Sequence, residues 1–223
     1  MLVRKPWKNF CALPKSKKKL IVIVGPTASG KSELALKLAK KINGEIIAAD
    51  SRQVYKGLDI GTAKIKGEWC TDIASPKKTF TVVEYKKCAE NAIAAIYRKG
   101  KIPILVGGTG FYIRALVDGL VLPQVPPNLK LRKKLEKLPP ERLFKILQKK
   151  DARRAKTIEP KNKRRLIRAL EIIAALGKVP KLKKHQKYDA LFLGIKRTPA
   201  ELKKRIEKRI SRMLKQVLVK EVK

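Results

Sequence analysis

Along this chain, continuous apolar runs alternate with stretches whose apolar residues recur every three or four positions. Leu20-Ile21-Val22-Ile23-Val24 is unbroken, largely β-branched, and halts at Gly25. Such a run reads as a strand buried on both faces of a parallel sheet. Over residues 32–42 the spacing changes, and Leu34, Ala35, Leu38, Ala39 and Ile42 fall on one helical face. Residues 45–49, 102–106 and 190–195 predict three further strands. Between the second and third, Thr81-Val82-Val83-Glu84 forms a capping box that opens a long helix to about residue 98. Residues 111–117 have helical patterning again. The rhythm predicts an α/β fold, a mostly parallel sheet flanked by helices.

The rhythm breaks at residues 123–127, which are rich in proline. Two short, very basic helical segments follow over residues 128–156, parted at Pro139-Pro140, so residues 123–157 are expected to form a small inserted helical lobe. Pro160 lies near the start of the next helix, residues 164–176 form its body, and Gly177 is its C′ residue. Thr198-Pro199-Ala200-Glu201 is a second capping box, whose helix runs close to the end of the sequence. The core is thereby assigned to residues 19–122 and 158–223, and residues 1–18 to a mobile basic tail.

Charge narrows the choice of partner. Lys and Arg number 56 against 18 Asp and Glu, a formal net charge of +38, while 44% of residues are hydrophobic. A folded body with that excess suits a polyanion, and nucleic acid is the first candidate. A generally basic solvated surface is the plainer alternative. Cys11, Cys70 and Cys88 form no Cys-x-x-Cys pair, which fits a reducing compartment and hence the cytoplasm. No apolar run approaches membrane-spanning length, so no membrane partner is expected. His185, the single histidine, reads as a surface residue.

Gly25-Pro26-Thr27-Ala28-Ser29-Gly30-Lys31-Ser32 satisfies G-x-x-x-x-G-K-[ST] between a predicted strand and a predicted helix. This is the P-loop arrangement, and it makes the fold P-loop NTPase-like. Backbone N–H groups converge on phosphate oxygens, the helix N-terminus adds positive potential, Lys31 neutralises terminal phosphates, and Ser32 is the candidate Mg²⁺ ligand. The loop does not say which phosphorylated compound it holds. Asp50, after the second strand, lies where open α/β sheets bind ligands. The same Asp-Ser pair also suits a turn or a helix cap.

From Ala49-Asp50-Ser51-Arg52-Gln53-Val54-Tyr55 through Gly61-Thr62-Ala63-Lys64, the chain resembles the tRNA dimethylallyltransferase (isopentenyltransferase) family. The similarity continues through Val106-Gly107-Gly108-Thr109-Gly110-Phe111-Tyr112, Arg165-Leu166-Ile167-Arg168-Ala169-Leu170-Glu171, and Arg205-Ile206-Glu207-Lys208-Arg209 with Met213. The resemblance implies transfer of a dimethylallyl group from dimethylallyl diphosphate to the N6 amine of an adenosine beside the anticodon, releasing diphosphate with the aid of Mg²⁺. It implies Asp50 as the base, Thr109 beside it as a catalytic and diphosphate-side group, the P-loop with Arg205 and Arg209 on the diphosphate, and a monomer as the acting form. Asp50, Ser51, Arg52, Gln53 and Tyr55 would face the tRNA, with Gln53 and Tyr55 holding the extruded adenine. Arg164, Arg165 and Arg168, at i, i+1 and i+4, and the basic lobe would grip its backbone.

Two features depart from the family pattern. Members usually continue for many tens of residues beyond Glu221-Val222-Lys223, so a truncated or minimal form is expected. Glu68-Trp69 stand where relatives often carry histidine, and Pro199-Ala200 where an arginine is frequent. Three rival readings are a small-molecule or nucleotide kinase on the same P-loop fold, an enzyme that prenylates free adenine nucleotides, and a catalytically weakened RNA-binding remnant.

Overall fold

The structure, a computed structural model, describes residues 18–216 and 218–222. The basic tail assigned to residues 1–18 lies outside the described residues except for Lys18, which opens the first strand. The chain divides into two compact units, one comprising the part up to Leu120 and the part from Lys184 on, the other Val121–Lys183.

The first unit contains β1 (Lys18–Val24), α1 (Lys31–Lys41), β2 (Gly44–Ala49), α2 (Val82–Arg98), β3 (Ile102–Gly107) and α3 (Gly110–Val117). The second contains α4 (Leu129–Glu136), α5 (Pro140–Lys150), α6 (Ala152–Ala155) and α7 (Lys163–Leu176). The chain then returns to the first unit with β4 (Tyr188–Gly194), α8 (Pro199–Lys215) and α9 (Leu218–Val222). The four strands form one parallel sheet in the order β2-β3-β1-β4.

The unbroken apolar run of β1 is explained by what covers each face. Leu20 and Val22 belong to a core shared with Tyr85, Ile93 and Ile96 of α2 and Leu116 of α3. Ile21 and Ile23 point the other way, into a core with Ala35 of α1, Ile46, Ile104 and Val106. Alternate residues on a strand face opposite sides, so a strand covered on both must be apolar throughout. Tyr85 and Tyr112 stack with ring centroids 4.0 Å apart, and the buried Tyr85 hydroxyl donates to Ala48 O at 2.8 Å. Cys70 and Cys88, the latter on α2, are free thiols with their sulfurs 2.8 Å apart. Both capping boxes form as read, Thr81 with Glu84 and Thr198 with Glu201.

In the helical unit the boundary differs from the one expected at residue 157. Leu166, Ile167, Leu170 and Ile173 of α7 pack with Leu135, Leu143 and Leu147 of α4 and α5, so α7 belongs to this unit and not to the sheet. A 3.6-residue period identifies a helix but not the core its apolar face will join. Glu171, fully buried on α7, accepts from Arg132 Nε and Nη2 at 2.6 and 2.8 Å, from Arg168 Nη1 at 3.2 Å, and from Asn128 N at 2.9 Å. A buried carboxylate is tolerable only with such a full set of donors.

Candidate active site

Parallel strands in register end together, so the loops that leave them are gathered at one edge. Val24 pairs with Gly107 on one side and Gly194 on the other, and Ala49 also pairs with Gly107. The P-loop comes directly after β1, Asp50 after β2, and Gly108-Thr109 after β3, while Arg197 lies just beyond β4. Gly107 is required here, because a Cβ would stand 2.1 Å from Ala49 O. Any side chain would push β2 away from β3 at the point where the site begins.

The P-loop closes onto the first turn of α1. Gly30, its N-cap, has φ 100°, a left-handed conformation that glycine adopts without penalty. The side chain of Ser29 is buried, and its Oγ has no hydrogen-bond partner. Lys31 Nζ donates to Pro26 O at 2.6 Å, folding back across the loop. Burial lowers the Lys31 pKa; Asp50 opposes that shift and Arg209 reinforces it. The ammonium thus feels both the carboxylate of the second strand and a cation of α8. Arg205 Nε donates to Ala28 O at 2.6 Å and Arg197 Nε to Ser29 O at 3.4 Å.

On the other side of the cleft, the half-buried Asp50 accepts at Oδ1 from Arg52 N at 2.8 Å, so the turn expected of Asp-Ser is present. Thr109 holds this turn from behind. Its Oγ1 accepts from Ser51 N at 3.0 Å and its own N–H donates to Ala49 O at 3.1 Å. Gln53 Nε2 donates to Thr62 O at 3.1 Å, and the buried Lys64 ammonium donates to Tyr55 O at 2.7 Å, Asp59 Oδ1 at 2.7 Å and Asp72 Oδ1 at 2.6 Å. Residues 50–64 are therefore held by side chains reaching across the loop, in the absence of a regular element.

A cavity of about 970 Å³ opens between these features. Its walls include Thr27 to Ser32 of the P-loop region, Asp50, Arg52 and Gln53, residues 59–64, Glu68, and Arg205, Lys208, Arg209 and Arg212 of α8. Gly25, Pro26, Ser51, Tyr55 and Thr109 are not among its lining residues. Thr109 and Ser51 act on Asp50 through the backbone, and the Tyr55 hydroxyl accepts from Phe80 N at 3.3 Å. Among the cavity residues that the sequence reading did not assign to the site are Lys208, Arg212 and Glu68. Lys208 and Arg212 sit at i+3 and i+7 from Arg205, a helical stripe visible in principle. Glu68, noted only as a departure from histidine, has its pKa raised to about 7, chiefly by burial, with Asp50 adding to the rise and the Ile65 N–H opposing it.

The profile of the family described as IPP transferase matches residues 53–223, and that described as isopentenyl transferase matches residues 18–69. A tRNA dimethylallyltransferase of Halothermothrix orenii is 44% identical over 92% of this chain and 67% of its own length. That of Anoxybacillus flavithermus is 41% identical over 92% of this chain and 70% of its own. The chain belongs to the tRNA dimethylallyltransferase family. It spans about two thirds of the length of these relatives. Among solved structures of the family, the full-length tRNA isopentenylpyrophosphate transferase of Bacillus halodurans matches with TM-score 0.62 and 37% identity, covering 92% of this chain and 69% of that one. A eukaryotic dimethylallyltransferase acting on tRNA matches with TM-score 0.78 and 34% identity, over 92% of this chain and 55% of that one.

Two expectations drawn from the family pattern meet the geometry unequally. Arg164 and Arg165 are exposed on α7, and Arg165 pairs with the exposed Glu159 at 3.3 Å. The Arg168 guanidinium donates to Glu171 Oε2 at 3.2 Å and to Val125 O at 2.8 Å, inside the helical unit. For Mg²⁺, among the described residues no group of three or more His, Cys, Asp and Glu side chains gathers to hold a metal. The donors present, a serine hydroxyl at the start of α1 with a carboxylate across the cavity, fit an ion that keeps waters and takes its remaining ligands from substrate phosphates.

Proposed function

We propose that this chain transfers a dimethylallyl group from dimethylallyl diphosphate to the N6 amine of an adenosine beside the anticodon of tRNA. The observation that carries the proposal is the meeting of a P-loop lysine and a strand-end carboxylate in one cavity lined by four basic side chains of α8. The P-loop amides, Lys31, Arg205 and Arg209 would bind the diphosphate, and Ser32 would help hold Mg²⁺, which when bound neutralises charge on the leaving group. Lys31 would exchange its contact with Pro26 O for phosphate oxygens. The amine nitrogen attacks the allylic carbon, its C–O bond breaks with the electrons leaving on diphosphate, and the amine proton passes to Asp50. The Asx turn to Arg52 and the brace from Thr109 fix the carboxylate for that transfer. Arg52 and Gln53 lie on the cavity wall that would meet the adenine. Exclusion of water from the cation-like carbon would protect it from hydrolysis.

A monomer acting in the cytoplasm, where Cys70 and Cys88 would stay as free thiols, belongs to the same proposal. Among the described residues, no helix is long and apolar enough to cross a membrane. Labelled dimethylallyl diphosphate, Mg²⁺ and undermodified tRNA should yield labelled tRNA without ATP. Transfer of a phosphoryl group from ATP, with no label on tRNA, would replace this reading with that of a kinase.

A further inference from the structure

The cavity wall formed by residues 59–64 is tied to α9 by one side chain. Glu221 Oε2 accepts from Asp59 N at 2.8 Å and Ile60 N at 2.6 Å, and its Oε1 accepts from Gly61 N at 2.9 Å. Three consecutive backbone N–H groups converging on one carboxylate make an anion cradle of the kind called a nest. The fit is close. A Cβ at Gly61 would lie 3.2 Å from Leu218 Cδ1 and 3.3 Å from Glu221 Oε1, so glycine lets α9 approach. Burial disfavours the charged form of Glu221, yet the three N–H groups outweigh it and hold the carboxyl below its usual range. Gln53 and Lys64 grip the same loop from its other end, at Thr62 O, Tyr55 O and Asp59. Thus the loop that begins with Asp50 is fixed at its start by Thr109, in its middle by Lys64, and at the cavity wall by Glu221.

We propose that Glu221 is a positioning residue, a carboxylate latch that sets the 59–61 wall so that the target nucleotide enters the cavity correctly. It does not line the cavity itself. The inference rests on the transferase reading above, but its first consequence needs no activity at all. Charge-assisted bonds to backbone amides are the stronger class, and Gln keeps one acceptor oxygen while turning an NH₂ toward an N–H donor. In E221Q, hydrogen exchange at the amides of 59–61 should quicken about 10-fold relative to wild type, with the melting temperature nearly unchanged.

If the chain is active, kcat/KM for tRNA should fall about 10- to 100-fold in E221Q, as misplacement of a reacting group does. KM for dimethylallyl diphosphate should stay constant, because the P-loop is held by other residues. E221D, which keeps the charge, should restore part of the loss, and G61A should reproduce it by pushing the latch away. Unchanged exchange at 59–61 in E221Q would overturn the inference whether or not tRNA is modified. So would a parallel rise in both KM values that tracks a lowered melting temperature, since that marks a merely structural contact. Quickened exchange in a chain with no transferase activity would uphold the latch and count against the proposed function alone.

Discussion

At the level of single residues, two of the carboxyl groups that line the cavity, those of Asp50 and Glu68, give separate tests. Asp50→Asn keeps size and can still accept from Arg52 N, but it loses the carboxylate that would take the amine proton. Its single-turnover rate should drop about 10²- to 10⁴-fold with substrate affinities nearly unchanged. A near-normal rate, with stability lower by at most about 1 kcal/mol, would leave Asp50 as a turn former only. Glu68 makes a pH-dependent case. Its folded pKa of about 7 lies above the ordinary 4.5, so the folded state holds a proton that the unfolded chain releases. Stability should therefore fall as pH rises from about 4.5 to 7. Glu68→Gln should flatten that fall, which melting curves at intervals across the window will detect; a constant difference between the two proteins would show Glu68 to be ionised throughout. The places of Lys31 and Asp50 on the cavity wall were legible from position, since one closes a P-loop and the other follows a strand. The contacts of Thr109 and Tyr55 were not, because their partners, Ser51 N and Phe80 N, are backbone groups that no side-chain pattern announces.

Elements were legible where burial imposed a period. β1 and β3 are covered on both faces, so their apolar runs are unbroken, and the capped helices carry their start signals in four residues. Residues 50–80 gave no comparable signal, because they are held by Gln53, Lys64 and isolated bridges such as Tyr55 with Ala74. α7 shows a further limit: Arg164, Arg165 and Arg168 look alike in sequence, yet only Arg168 stands over a buried acid three residues on. Glu171→Ala should strand Arg132, Arg168 and the Asn128 N–H, costing about 2–4 kcal/mol in the stability of the helical unit. Denaturant unfolding and exchange at the Asn128 amide would measure it. A loss under about 0.5 kcal/mol, the scale of an exposed pair, would mean water replaces the carboxylate there.

For the whole molecule, the +38 charge should dominate the encounter with tRNA. Raising salt from about 50 to 200 mM should weaken binding by about 10³- to 10⁵-fold if six to ten phosphates are neutralised; a flat response would remove electrostatics as the main attraction. Alanine at Arg164 and Arg165 should shallow the salt slope, whereas alanine at Arg168 should act first on stability. The sheet order has a consequence for how the chain comes into being. β1 lies between β3 and β4, and its Lys18 pairs with Tyr188. A ribosome must deliver α4, α5, α6 and α7, a unit able to form from its own neighbours, before the partner for that side of β1 emerges. Until then one border of the central strand, with its open N–H and C=O groups, stays bare beside finished apolar surface. Nascent chains halted before residue 188 should therefore depend on chaperones far more than chains released after β4 has docked.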